Sequence, residues 1–196
     1  MVATIREAQK QLTRGLLLAK ALELFGDKGY AATTVDDIAV AVGTTRATFY
    51  AHFQSKGHLM QALLERSNQM LTEADVPPLK SVVESGERAQ IRLWLQRKFD
   101  QWAEIRPYVT AAHQAAASEP EIQVALDRWF DDAIGNMHAG LDAADRFEAS
   151  SRRVRCTLAF GELEFFSRRW MRLGWSVDRE TSLDLMVDNW CFLLTD

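Results

Sequence analysis

The chain has 196 residues, 47% apolar and 26% charged, with 23 Lys/Arg against 27 Asp/Glu and a net charge of -4. That length fits one large domain or two small ones and supports a real core. Only 4 Pro and 10 Gly argue against a loop-rich or all-β chain, and no run approaches the ~18 apolar residues of a membrane span.

The charge is unevenly spread. Residues 1–66 hold 8 Lys/Arg and 6 Asp/Glu, the remainder 15 and 21, so a mildly basic head precedes an acidic body. Such a chain suits a nucleic-acid contact at one end only. Cys156 and Cys191 form no CxxC pair, which fits a reduced cytoplasmic setting. The first ten residues lack the apolar stretch of a signal peptide.

The arm to about Leu12, with Arg6 and Lys10, is expected to be poorly ordered. A first helix follows from about Thr13 to Asp27, with Leu17, Ala21, Leu24 and Phe25 on one face and Gly29 as its stop. Thr34 and Asp37 resemble a capping box opening a second helix to about Val42. Gly43 makes a turn, and Thr45 caps a third helix from Arg46 to about His52. Two short helices across a Gly-containing turn make a helix-turn-helix, whose second helix can enter a DNA major groove.

Ser55 caps a fourth helix from about Lys56 to Thr72, with Leu59, Leu63 and Met70 inward, and Pro77–Pro78 break it. A fifth helix is expected from about Glu84 to Ile105. Pro107 starts a short sixth, ending near Ala117. Ser118 and Pro120 open the seventh, which carries Trp129, Phe130 and Met137. The eighth runs from about Arg146 to Leu173, and Asp178 begins a ninth that reaches the C-terminus. The expected fold is therefore all-α with about nine helices. A three-helix DNA-binding domain over residues 1–57 precedes a larger helical ligand-binding and dimerisation domain over 58–196.

A recognition helix needs short polar or basic side chains in its first turn, phosphate contacts at its ends and an apolar rear face. Thr45, Arg46, Ala47 and Thr48 fill that first turn. Arg46 can pair with guanine, and the methyl of Ala47 or Thr48 can meet a thymine methyl. Phe49 and Phe53 face the core. Tyr50, His52 and Lys56 can reach phosphate, and so can Thr44 beside the turn.

Leu17-Leu18, Ala21-Leu22-Glu23-Leu24-Phe25, Gly29-Tyr30, Thr33-Thr34-Val35, Ile38-Ala39, Gly43, Phe49-Tyr50, His52-Phe53, Lys56 and Leu59 together resemble the TetR family of bacterial regulators. The resemblance covers about Thr13 to Leu63. It implies a dimeric, Ω-shaped helical protein that binds a palindromic operator and is usually released from it by a ligand held in the C-terminal body. It places phosphate contacts on Tyr50, Lys56 and Thr34, and base contacts on Thr45, Arg46, Ala47 and Thr48. Thr44 and Lys20 depart from the family pattern, where apolar and small residues respectively are common.

The body carries all six tryptophans. Aromatic side chains between helices hold apolar or aromatic ligands well. Trp94, Phe99, Trp102, His113, Trp129, Phe130, Met137, Phe165 and Phe166 are the candidate lining, although for any single one of them core is the favoured reading. Of Glu162 and Glu164, which face opposite ways, at most one is expected inside, with Glu162 as the candidate. Leu183, Met186, Val187, Trp190 and Leu194 form a stripe suited to a four-helix dimer interface or to burial within one chain.

No GxSxG, Gly-rich phosphate loop, HExxH or Glu-x-x-His occurs, and the four histidines lack zinc spacing. No enzyme activity, cofactor or metal is expected. The expected function is a sequence-specific regulator, most simply a ligand-released repressor. A helical binding module or an architectural DNA-binding protein is the alternative.

Overall fold

The computed structural model describes residues 5–73 and 75–195. These hold nine α-helices and no strand. They are α1 (Ile5–Lys28), α2 (Val35–Val42), α3 (Arg46–His52), α4 (Lys56–Glu73), α5 (Leu79–Ser85), α6 (Arg88–Ala116), α7 (Pro120–Ala143), α8 (Ala149–Leu173) and α9 (Arg179–Leu194). Among the described residues no helix is long and apolar enough to cross a membrane.

The helix count matches the expectation, but two elements behind it differ. Pro107 lies inside α6 rather than opening a new helix. A proline removes one backbone donor and disfavours the helix locally, yet the apolar face of α6 carries it through. The missed helix is α5. Leu79, Val82 and Val83 are its buried residues, and Gly86 ends it at φ 66.

Two boundaries also shift. α1 starts at Ile5, so the segment Ile5–Leu12, expected to be poorly ordered, is helical and exposed. Good helix formers such as Glu7, Gln9 and Lys10 extend a helix already anchored by Leu17, Leu18, Ala21 and Phe25. The first four residues of the expected arm lie outside the described residues. α8 starts at Ala149 because Asp145 and Phe147 adopt left-handed φ values of 49° and 60°. Arginines hold that loop. Arg146 donates to Val83 O (2.6 Å), Glu84 O and Ser85 O at the end of α5. Arg152 donates to Arg146 O (2.7 Å) and pairs with Asp142 and Asp145.

The chain forms two compact units. The first takes residues through Asn68 together with Pro107–Leu126, and the second takes Gln69–Arg106 and the chain from Asp127 onward. The expected cut after residue 57 thus falls within the first unit. α6 contributes to both units, with the division at Pro107.

In the first unit, Leu17, Ala21, Phe25, Ile38, Phe49, Leu59, Met60 and Leu63 are fully buried. Thr33 is buried with them, and its hydroxyl donates to Gly29 O at 2.8 Å, which satisfies the polar group. In the second unit the core runs through Val83, Ile91, Leu95, Met137, Leu141, Cys156 and Ala159 to the inner face of α9. Gly140 lets α7 approach α5 closely, since a Cβ there would sit 2.6 Å from Lys80 O.

Candidate nucleic-acid interface

The head is built by capping. Thr34 accepts from the Asp37 N–H at 3.1 Å, and its own N–H donates to the Asp37 carboxylate at 2.8 Å, completing the capping box. Lys28 adds a 2.8 Å ion pair to Asp37. These contacts hold that carboxyl well below the usual range, the Lys28 bond first and the Thr34 bonds after it. Gly43 closes α2 at φ 71, in the left-handed region that a side chain would oppose. Thr45 then caps α3, accepting from the Thr48 N–H at 3.2 Å.

This chain of caps fixes the exposed face of α3. Phe49 and Phe53 point inward with ring centroids 5.8 Å apart. Thr34, Thr45, Arg46, Ala47 and Tyr50 are exposed, while Thr44, Thr48 and His52 are half-buried. The Thr45 and Thr48 hydroxyls lie 3.0 Å apart. Arg46 is held on two sides. Its Nη1 donates to Asp36 Oδ2 at 2.9 Å, and its guanidinium lies 5.5 Å from the Tyr50 ring centre with Nη2 3.4 Å from the hydroxyl.

Two expected phosphate ligands are placed differently from the rest. His52 is pushed below its ordinary pKa by burial first and by Lys10 and Arg14 next, so near neutral pH it offers a neutral imidazole. Lys56 is half-buried, and its ammonium donates to Tyr30 O (2.8 Å) and Thr33 O (3.0 Å) while lying 4.1 Å from the Tyr30 ring centre. It therefore acts within the unit, tying α4 to the segment between α1 and α2.

Tyr30, Gln114 and Glu119 were not legible as partners. The Tyr30 N–H donates to Gln114 Oε1 at 2.9 Å, and the Tyr30 hydroxyl donates to Glu119. Burial first, and Glu119 next, raise the Tyr30 pKa. Nothing in the sequence pairs residues so far apart. Ser118, expected as a cap, instead donates to Ala115 O at 3.3 Å.

In the second unit the candidate aromatic residues separate into groups. Phe99 and Trp102 lie 4.3 Å apart and share a cluster with Phe166, Trp170 and Trp175. Trp94 stacks on Trp190 at 5.4 Å, whereas Trp129 meets Phe130, which meets Phe160. Met137 is fully buried. His113 belongs to the first unit. Phe165 is 68% exposed, so its place in the lining is corrected: it lies on the outer face of α8. Glu162 accepts from Asn189 at 3.0 Å, and Glu164 pairs with Arg168 at 3.2 Å, so both carboxylates are engaged between helices or along one.

The α9 stripe is also corrected. Leu183, Met186, Val187, Trp190 and Leu194 are buried within the single chain, and Trp190 Nε1 donates to Ala159 O at 3.0 Å. They are core, not free surface. The outward apolar residues are Leu185 and Phe192 on α9 and Val154, Leu158, Phe165 and Leu173 on α8.

This geometry defines an all-α protein headed by a helix-turn-helix. Residues 17–63 match the family model described as bacterial regulatory proteins, tetR family. The transcriptional activator FasR of Mycolicibacterium smegmatis is 34% identical over 87 residues, covering 44% of this chain and 39% of FasR. The transcriptional regulator TtgR of Pseudomonas putida is 44% identical over 62 residues, covering 32% of this chain and 29% of TtgR. The matched stretch thus spans well under half the length of either relative. Across nearly the whole chain, the fold is similar to NalD, the secondary repressor of the MexAB-OprM multidrug efflux pump in Pseudomonas aeruginosa, with a TM-score of 0.71 at 22% identity over 95% of this chain and 98% of that one. A complex of SmeT with triclosan gives a TM-score of 0.70 at 20% identity, covering 91% of each chain. Over residues 17–63, therefore, the chain is similar to the TetR family of bacterial regulatory proteins.

Proposed function

We propose that this chain is a transcriptional regulator that binds a palindromic operator as a homodimer and is released by a small apolar or aromatic ligand. The observation that carries the reading is the exposed first turn of α3, capped by Thr45. Thr45, Arg46 and Ala47 face outward there, while Phe49 and Phe53 anchor the helix behind them. Arg46 is the base-reading residue, pairing with guanine. Tyr50, Thr34, Thr44, Thr48 and His52 supply phosphate and groove contacts. Lys56 acts by holding the α1–α2 segment, with a phosphate contact requiring it to leave its carbonyls.

Two recognition helices must sit about 34–36 Å apart to read one face of DNA, which calls for two chains. Outward apolar residues of α8 and α9, among them Val154, Leu158, Phe165, Leu185 and Phe192, support a second copy as the partner of that face. For the effector, the cluster of Phe99, Trp102, Phe166, Trp170 and Trp175 replaces the broader lining expected from sequence. It suits an aromatic molecule, and the SmeT complex with triclosan is a precedent in a similar fold. Repression is the reading adopted, although both an activator and a repressor occur among the similar proteins. The first unit would carry DNA binding and the second the ligand and dimer functions, in a cytoplasmic, non-enzymatic protein.

Genome-fragment selection with the purified protein, followed by footprinting, tests the reading. A protected palindrome supports it. Salt-dependent binding without any selected sequence would instead favour an architectural role.

A further inference from the structure

The carboxylates of Asp36 and Asp37 are neighbours in α2 but do different things. Asp37 is consumed locally by the Thr34 capping box and by Lys28. Asp36 is exposed, stands beside the recognition helix, and accepts from Arg46 Nη1 at 2.9 Å. A carboxylate on a surface that faces phosphates lowers affinity for every DNA sequence. Nor does the pair do much for the fold, because both partners are more than half exposed and such pairs contribute little to stability. Its consequence is geometric. Arg46 has a long, flexible side chain, and free in solvent it would be spread over many rotamers. Asp36 on one side and Tyr50, four residues on, at the other restrict the guanidinium to one region above α3.

We propose that Asp36 is a specificity-determining positioning residue, which holds the Arg46 guanidinium in the orientation that reads a base, at a cost in general affinity for DNA. This rests on the proposed DNA-binding function and adds a residue from α2 to base recognition by α3. It also accounts for an exposed acidic side chain beside the recognition helix. Specificity is a difference between affinities, and a repulsive element that acts on all sequences can raise it when it sharpens one contact.

The test uses the full-length protein, the operator obtained by selection, and a panel of operators each altered at one base pair. Wild type, Asp36→Ala, Asp36→Glu, Arg46→Ala and the Asp36→Ala/Arg46→Ala double variant are compared at one fixed salt concentration, after thermal melts show that each is folded. Asp36→Ala is expected to lose about tenfold in discrimination at the same base pair that Arg46→Ala affects. It should keep its preferences elsewhere and bind unrelated DNA at least as tightly as wild type. Asp36→Glu should recover part of the discrimination, and Asp36→Ala should change no base preference when Arg46 is already absent. Full discrimination in Asp36→Ala, or an equal loss at every position, overturns the positioning role while leaving the DNA-binding function intact. A wild-type protein with no preference at any base pair overturns both.

Discussion

The Tyr30 hydroxyl donates to the Glu119 carboxylate across a separation of 89 residues, so the segment after α1 is bound to the start of α7 inside one unit. The phenol is almost fully buried, and the Lys56 ammonium lies 4.1 Å from its ring centre. Removing only the hydroxyl, in Tyr30→Phe, keeps the packing and leaves a carboxylate oxygen without its donor. A loss of about 1.5–3 kcal/mol is expected for a bond to a charged group, measured by urea unfolding.

The same residue gives a pH signature. Its pKa is raised in the folded state, by burial first and by Glu119 second. Below about pH 10, the ordinary tyrosine value, both folded and unfolded chains carry the proton and the group contributes no slope. Above it the unfolded chain loses its proton first, so stability falls as pH rises. The alkaline decline should be shallower in Tyr30→Phe than in wild type, as read by thermal melts between pH 8 and pH 11.

Lys98 is a buried cation in the second unit. It donates to Leu71 O and to Asp75, each at 2.6 Å, and lies 4.8 Å from the Trp94 ring centre. Burial pushes its pKa down and Asp75 partly opposes that. Lys98→Met strands the Asp75 carboxylate, whose side chain is only 11% exposed. A cost of about 3–5 kcal/mol is expected. Lys98→Met/Asp75→Asn should recover much of that loss in a double-mutant cycle, since no buried charge is then left unpaired.

At Gly140 two effects oppose each other. Alanine is favoured over glycine inside a helix by about 1 kcal/mol. Its Cβ, however, would lie 2.6 Å from Lys80 O and 2.9 Å from the Val83 Cβ, both on α5. Backbone oxygen cannot move aside as a flexible side chain can, so the clash prevails and Gly140→Ala should be destabilising by about 1–2 kcal/mol net. A raised melting temperature would show that α5 yields instead.

The two faces of α9 separate folding from assembly. Leu183→Glu places a charge in the core and should abolish cooperative unfolding. Phe192 is 78% exposed, so Phe192→Glu should leave the melting of the monomer fold unchanged. With Leu158→Glu it should convert a dimer to a monomer in sedimentation velocity and reduce operator affinity.

How much was legible follows from the range of the interactions. The caps at Thr34, Gly43 and Thr45 act between residues three or four apart, so their residue types and spacing were sufficient to locate α2, the turn and α3. The inward aromatics of α3 followed from helical period alone. The carbonyl partners of Lys56, on Tyr30 and Thr33, were not legible because they are set by how α4 meets the α1–α2 segment. At Pro107 local propensity predicts the start of a new helix, whereas packing of the surrounding face of α6 decides. The α9 stripe was correctly seen as apolar. Periodicity gives the direction of a stripe but not which neighbour covers it, and the exposed Leu185 and Phe192, two turns apart, have polar Asp188 and Asn189 between them and so form no continuous apolar stripe.

The most direct test of the central claim is the ratio of affinities for the selected operator and for a scrambled duplex of equal length, measured at two salt concentrations. A regulator of this kind should favour its operator by about a thousandfold or more. Both affinities should fall steeply with salt. Tight, salt-sensitive binding with a ratio near one would contradict sequence-specific recognition by α3.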